Sequence, residues 1–214
     1  RMLRVTQQVI LQAVLWLLRH AQPAIEIEKL IASYGDGIAE LARTIDTVLG
    51  PEGQAELARA TEALVQSGVP DDLAVRVARL EYLPAGLDIV RIAGHERAPV
   101  PVVAKRYFAL GARLGIDWLR QAASRVRTET AWQKMAVAAI VDDLAAIQGE
   151  LTERVVAGGT ASDEADAVIE AWMARHGSGL ARLNAILAEL RSMPVPEIAA
   201  LTVASRELRA LADS

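Results

Sequence analysis

"WQKMAVAAIVDDLAAIQGELTERV", Trp132 to Val155, is the stretch that decides the fold. Trp132, Ala136, Ile140, Leu144, Ile147, Leu151 and Val155 recur every three or four residues, which lays them along one side of an α-helix of about seven turns. Alternation with β-branched enrichment, the mark of a half-buried strand, is missing here and elsewhere. "GGTASDE" from Gly158 stops the stripe, and Thr160 with Asp163 has the spacing of a capping box for the helix that follows.

The same period runs outward in both directions. Downstream, a helix breaks at "HGSG" (176–179) before Leu180, Leu183, Leu187 and Leu190. Met193-Pro194-Val195-Pro196 ends that run, and Ile198, Leu201, Ser205, Leu208 and Leu211 form the last helix. Upstream, a helix is expected over Met2–Ala21, restarted at Pro23 and continued by Ile27, Leu30, Ile31 and Tyr34. "YGDG" (34–37) is expected to break it, because glycine and aspartate disfavour helix interiors. Ile38, Leu41, Ile45 and Val48 make the next stripe. Pro51 then opens a helix that closes on Ser67-Gly68, Pro70-Asp71 opens another with Leu73, Val77 and Leu80, and Pro84 interrupts it. Leu87, Val90 and Ala93 lead to Gly94. "HERAPVP" (95–101) holds two prolines in three residues and is expected to be a linker dividing two helical subdomains, 1–94 and 102–214. The expected fold class is all-α: an irregular bundle of eight to ten helices without significant sheet.

Between these lies "KRYFALGARLGIDWLRQAA", Lys105 to Ala123. Tyr107, Leu110 and Leu114 share a helix face, with Phe108 beside it. Gly111 offers room for a neighbouring helix or ring, and Gly115 stands where a helix ends with positive φ. Asp117 is expected to cap the next helix, with Trp118 in its first turn as an anchor of the fold. The expected unit is a tight helix–glycine–helix corner in which glycines make room for aromatic rings, and no polar groups converge.

Composition excludes several functions. Of 214 residues, 52% are hydrophobic and 23% charged, with a net charge of −4, so no basic footprint for nucleic acid is present. Arg120, Arg125 and Arg127 read as a solvated helix end. No cysteine occurs, which rules out disulfides, thiolate metal sites and cysteine nucleophiles and permits a cytoplasmic location. The apolar run Val9–Leu18 is half the length of a membrane span, so no membrane partner is expected. The chain opens on Arg1, in mid-pattern, as an excised piece of something longer would.

Chemistry-bearing motifs are scarce. His20, His95 and His176 are scattered and lack the Glu-x-x-His spacing of di-iron bundles. Asp71-Asp72 reads as a favourable helix start, and Asp142-Asp143 as a mid-helix pair pointing in different directions. "GDGIAE" from Gly35 lacks a third glycine and a preceding strand, and "GGTAS" lacks the lysine of a phosphate loop. No residue is assigned a catalytic, cofactor-binding or metal-binding role.

One resemblance goes further. "RYFALGARLGIDWLRQAA", the stretch Trp132–Val155, "IAALTVASRELRALA" (198–212), "RVTQQVILQAVLWLLRH" (4–20) and "LDIVRIAG" (87–94) are similar, in order and spacing, to the extreme C-terminal region of the large bacterial NAD-specific glutamate dehydrogenases. Its most specific parts are Tyr107-Phe108, Gly111, Leu114-Gly115, Asp117-Trp118-Leu119 and Asp142-Asp143-Leu144. The resemblance implies a parent enzyme that deaminates glutamate with NAD as hydride acceptor. It also implies that the substrate lysines and the nucleotide-binding segment lie before this region, so none maps onto a residue here. This chain would then be a non-catalytic helical domain. It would bind no cofactor itself and pack on the catalytic core or on neighbouring subunits of a homo-oligomer. Residues alone leave two other readings open: a free-standing helical interaction module without activity, and a helical-bundle metalloenzyme.

Overall fold

The computed structural model describes residues 27–214, with side chains from Tyr34 onward. Ten helices follow one another among the described residues: α1 (Ile27–Val48), α2 (Pro51–Gln66), α3 (Asp71–Arg79), α4 (Ala85–Glu96), α5 (Val100–Arg113), α6 (Ile116–Arg125), α7 (Ala131–Ala157), α8 (Ala165–Arg175), α9 (Gly177–Ser192) and α10 (Ile198–Asp213). No strand occurs among them. The described residues adopt the expected all-α class. The helix expected over Met2–Ala21, with the apolar run Val9–Leu18, lies outside the described residues. No helix among the described residues is long and apolar enough to cross a membrane.

The chain divides into two compact units, 1–108 and 109–214, and the boundary falls inside α5. It does not fall at 95–101, the expected linker. His95 and Glu96 still belong to α4, and Pro101 sits in the first turn of α5, leaving only residues 97–99 between the helices. A proline there costs nothing, because N–H groups of a first turn have no partner within the helix. Arg97, at φ 53°, supplies the left-handed residue that ends α4, and the Ala98 N–H bonds back to the Ala93 carbonyl.

In the first unit α1 packs on α4, and α2 on α3. "YGDG" does not break α1, which runs through it without interruption. The reason lies across the contact. A Cβ on Gly37 would stand 2.7 Å from a methyl of Val90, and one on Gly86 would stand 3.1 Å from Leu41. Each helix thus contributes a glycine to a close approach, and packing outweighs the roughly 1 kcal/mol that a mid-helix glycine loses to alanine. The buried side of α1 is Leu41, Ile45 and Val48, as its stripe predicts. In α4 the buried set is Gly86, Ile89, Ile92 and Ala93, so the expected stripe through Leu87 and Val90 is out of phase. Elsewhere the punctuation holds: Pro51 opens α2, Gly68 ends it at φ 88°, and Pro70 and Pro84 precede α3 and α4.

The second unit has one core. α7 packs on α6, α8 and α10, while α9 packs on α8 and α10. Ile140, Leu144, Ile147, Leu151 and Val155 of α7 meet Leu180, Leu183, Leu187 and Leu190 of α9 and Leu201, Leu208 and Leu211 of α10 in it. The long stripe does not run its expected length, however. Trp132 is 77% exposed, and burial begins only at Ile140. The capping box is also displaced. Asp163 accepts a 2.6 Å bond from the Thr160 N–H, but Thr160 Oγ1 turns to Ser162 and the next helix starts only at Ala165. A complete box stands instead at Thr130 and Gln133, opening α7. Thr130→Ala should therefore destabilise the chain by about 1 kcal/mol, read from its urea midpoint. An unchanged midpoint would mean that the box holds nothing.

Candidate functional site

The corner around Gly115 is the most distinctive local structure in the second unit. Tyr107 and Leu110 of α5 and Leu114 just after it are buried, as their spacing requires. The Leu114 N–H bonds to the Leu110 carbonyl and the Gly115 N–H to that of Ala112, which closes the helix. Gly115 then takes φ 69°, ψ 17°, and its own carbonyl accepts from the Leu119 N–H to start α6. One left-handed residue therefore ends one helix and begins the next, a conformation that glycine adopts without the Cβ penalty.

Asp117 does not cap α6. Gly115 holds the cap position and no side chain caps the helix end. Asp117 is the second residue of α6, where the helix dipole favours a carboxylate, and its Oδ1 accepts from Arg120 at 3.2 Å.

The glycines do make room, but not for rings. A Cβ on Gly111 would lie 2.3 Å from Nε2 of Gln148 and 3.2 Å from Oδ2 of Asp117; one on Gly115 would lie 2.9 Å from Leu187. Polar groups thus converge on this corner, contrary to expectation, because Gln148 rides on the wholly buried face of α7. The aromatics are placed apart. Tyr107 and Phe108 meet edge to face at 5.6 Å, and Phe108 meets Tyr82 likewise at 5.9 Å, all within the first unit. Trp118 packs half-buried against the second unit's core, with the Arg191 guanidinium 5.3 Å above its ring. That geometry is a cation–π contact.

The remaining candidates are dispersed. Asp71 and Asp72 are exposed in the first turn of α3. Asp143 is exposed and Asp142 half-buried in the middle of α7. His20 lies outside the described residues, and His95 is exposed beside Glu96. His176 closes α8, its Nδ1 2.8 Å from the Trp172 carbonyl. A carbonyl only accepts, so Nδ1 carries the hydrogen, and the expected meeting of His176 with helix carbonyls is realised. Gly35 and Gly37 are helical, so "GDGIAE" forms no loop. In "GGTAS" the Thr160 N–H that a phosphate would need is taken by Asp163.

Ionisation follows the same pattern. Burial raises the Tyr34 phenol pKa, with the charge of Arg91 opposing and that of Asp88 adding, so the phenol stays neutral near pH 7. Arg113 is held more firmly protonated by its hydrogen bond to Glu170, at 2.8 Å. That pair is exposed and acts as a surface clasp between α5 and α8.

Two residues escaped the sequence reading. Trp172 is 3% exposed and stacks on His176, ring centroids 4.2 Å apart. Its signal was available: Ala165, Val168, Ile169, Trp172 and His176 keep helical spacing. Gln148 had none, since one polar residue on an apolar stripe does not say which glycine it faces.

Comparison with known proteins fits this frame. The family model described as glutamate dehydrogenase, C-terminal, matches residues 1–210. The chain belongs to this family. An NAD-specific glutamate dehydrogenase of Pseudomonas aeruginosa is 32% identical over 204 residues, covering 95% of this chain and 12% of that protein. Another, from Mycobacterium tuberculosis, is 29% identical over 95% of the chain and 13% of its own length. A third, from Halomonas elongata, is 30% identical over 93% of the chain and 12% of its own length. The chain thus spans about an eighth of these relatives.

Proposed function

We propose that this chain is the non-catalytic C-terminal helical domain of an NAD-dependent glutamate dehydrogenase. The parent would convert L-glutamate, NAD and water to 2-oxoglutarate, ammonium and NADH, a step of amino-acid catabolism in the cytoplasm. One observation carries the reading: relatives named for that activity match nearly all of this chain with only about an eighth of their own length. NAD and glutamate would be held by the other parts of the parent, with no residue here in a catalytic, cofactor or metal role. The polar groups at the corner support this, because a carboxylate engaged by Arg120 and a buried amide make no nucleophile–base pair. The domain's two helical units would pack on the catalytic core and on neighbouring subunits of a homo-oligomer, without nucleic acid or membrane.

Calorimetric titration of the 214-residue chain with NAD tests the division of labour. No saturable heat is expected. Binding at about micromolar affinity would overturn it, since that corresponds to roughly 8 kcal/mol of contacts and requires a built site.

A further inference from the structure

We propose that the first two turns of α7 are a docking knob, inserting Trp132 and Met135 into an apolar, carboxylate-rimmed pocket on the part of the parent polypeptide outside this chain. The proposal rests on the reading of this chain as one piece of a longer dehydrogenase.

Trp132 and Met135 are 77% and 60% exposed, the two most exposed large hydrophobic side chains among the described residues. They stand three positions apart, neighbours on one helix face. Full burial in the core of the second unit begins only at Ile140, and among residues 131–139 Val137 alone packs partly against that core. Local bonds order the first turn. Thr130 Oγ1 accepts from the Gln133 N–H, and Gln133 Oε1 accepts from the N–H groups of both Glu129 (2.7 Å) and Thr130 (3.1 Å). A capped helix end presents its side chains already ordered, which lowers the entropy lost on docking. Tryptophan and methionine are also the residue types that interface cores favour.

Size selects the occupant. Two such side chains offer on the order of 300 Å² of apolar surface, whereas a stable interface between separate chains takes roughly 800 Å² from each partner. A second free copy would not be held by this patch. A surface tethered through the same polypeptide would, because tethering replaces a dilute encounter by an effective concentration of roughly millimolar. The relatives' lengths leave ample chain for such a surface: this chain covers 12–13% of them. Charge describes the pocket's rim. Along residues 125–139 the charged side chains are Arg125, Arg127 and Lys134, all exposed, against Glu129, although the whole chain carries −4. Three cations against one anion fit a rim of carboxylates.

Hydroxyl-radical footprinting of the full-length parent, with oxidation of each residue read by mass spectrometry, tests the assignment. In the native parent Trp132 and Met135 should oxidise roughly tenfold more slowly than in the parent unfolded in guanidinium. Trp132→Ala should make Met135 reactive again. Native rates within about twofold of the unfolded ones would overturn the proposal, since side chains this exposed behave so without a partner. Protection lost when the parent is diluted to single chains would move the pocket to a neighbouring subunit and refute docking within one polypeptide. Protection that arises only with phosphatidylserine vesicles would refute it in favour of a membrane surface. Glutamate turnover recorded on the same sample separates the two readings: a protected but inactive parent keeps the docking and sinks the proposed function, and an active but unprotected one does the reverse.

Discussion

Trp172→Ala is expected to destabilise the chain by about 3–5 kcal/mol, the cost of removing a fully buried large aromatic and leaving its cavity. Only 3% of Trp172 is exposed, and it belongs to the continuous core of the second unit. Its ring also lies nearly parallel to that of His176, at 22°, so the truncation removes the support of the α8–α9 break. Domains of this size hold roughly 5–15 kcal/mol in all, so the loss is a large share of the total. Urea unfolding of the three described tryptophan variants makes the test an ordering rather than one number. Trp118→Ala should cost less, roughly 1–2 kcal/mol, because the ring is half-buried and loses part of a surface and one cation–π contact. Trp132→Ala should leave the urea midpoint of this chain unmoved, as its ring is 77% exposed. A Trp118 variant weaker than the Trp172 variant would restore Trp118 as the anchor and show that burial misleads here.

The ordering reverses the expectation from the sequence, where Trp118 was the anchor, and the reason is physical. Periodicity states which residues share a helix face but not whether a partner covers that face. Leu180, Leu183, Leu187 and Leu190 recur cleanly and are all buried, because a second and third helix lie against them. Trp132 recurs just as cleanly and is exposed, because α7 outruns its partners. Punctuation was legible where it acts locally. Pro51, Gly68, Pro70, Pro84, Gly115 and the 193–196 segment each stand at a helix end, since fixed or positive φ acts on the residue itself. It was misread where tertiary contact overrides propensity. Gly37 stays helical because Val90 packs against it, and Pro101 is absorbed by a first turn. Caps fell between the two. The Thr130–Gln133 box and the Thr160–Asp163 pair have the same spacing, and only the chain after each decides which one begins a helix. At the candidate site the Gly115 turn was readable. Gln148, Leu187 and Arg191 come from other helices, and no local pattern announces them.

Gly111→Ala carries the other large effect. In an exposed helix this change would stabilise by about 1 kcal/mol, since alanine loses less backbone entropy. At this position the new Cβ would sit 2.3 Å from Gln148 Nε2 and 3.1 Å from its Cδ. A glutamine tip can normally swing aside, but Gln148 is wholly buried, and Asp117 Oδ2 stands 3.2 Å from the same new Cβ. Moving the amide therefore forces a poor rotamer or a backbone shift, an overpacking cost of roughly 1–3 kcal/mol that exceeds the propensity gain at its upper end. We expect a net loss of about 1–2 kcal/mol, read from urea unfolding. The cause is separable from a general weakness of α5. Gln148→Ala removes the obstructing amide at its own cost in lost packing, so the double variant should be more stable than the sum of the two single losses predicts. The expected coupling is about 1 kcal/mol or more, within the range for residues in direct contact. If the two losses simply add, the Gly111–Gln148 approach does not hold α5 against α7, and the glycine is there for another reason. A single variant that gains stability would go further, showing that the amide has room to leave and that Gly111 answers only to the helix it sits in.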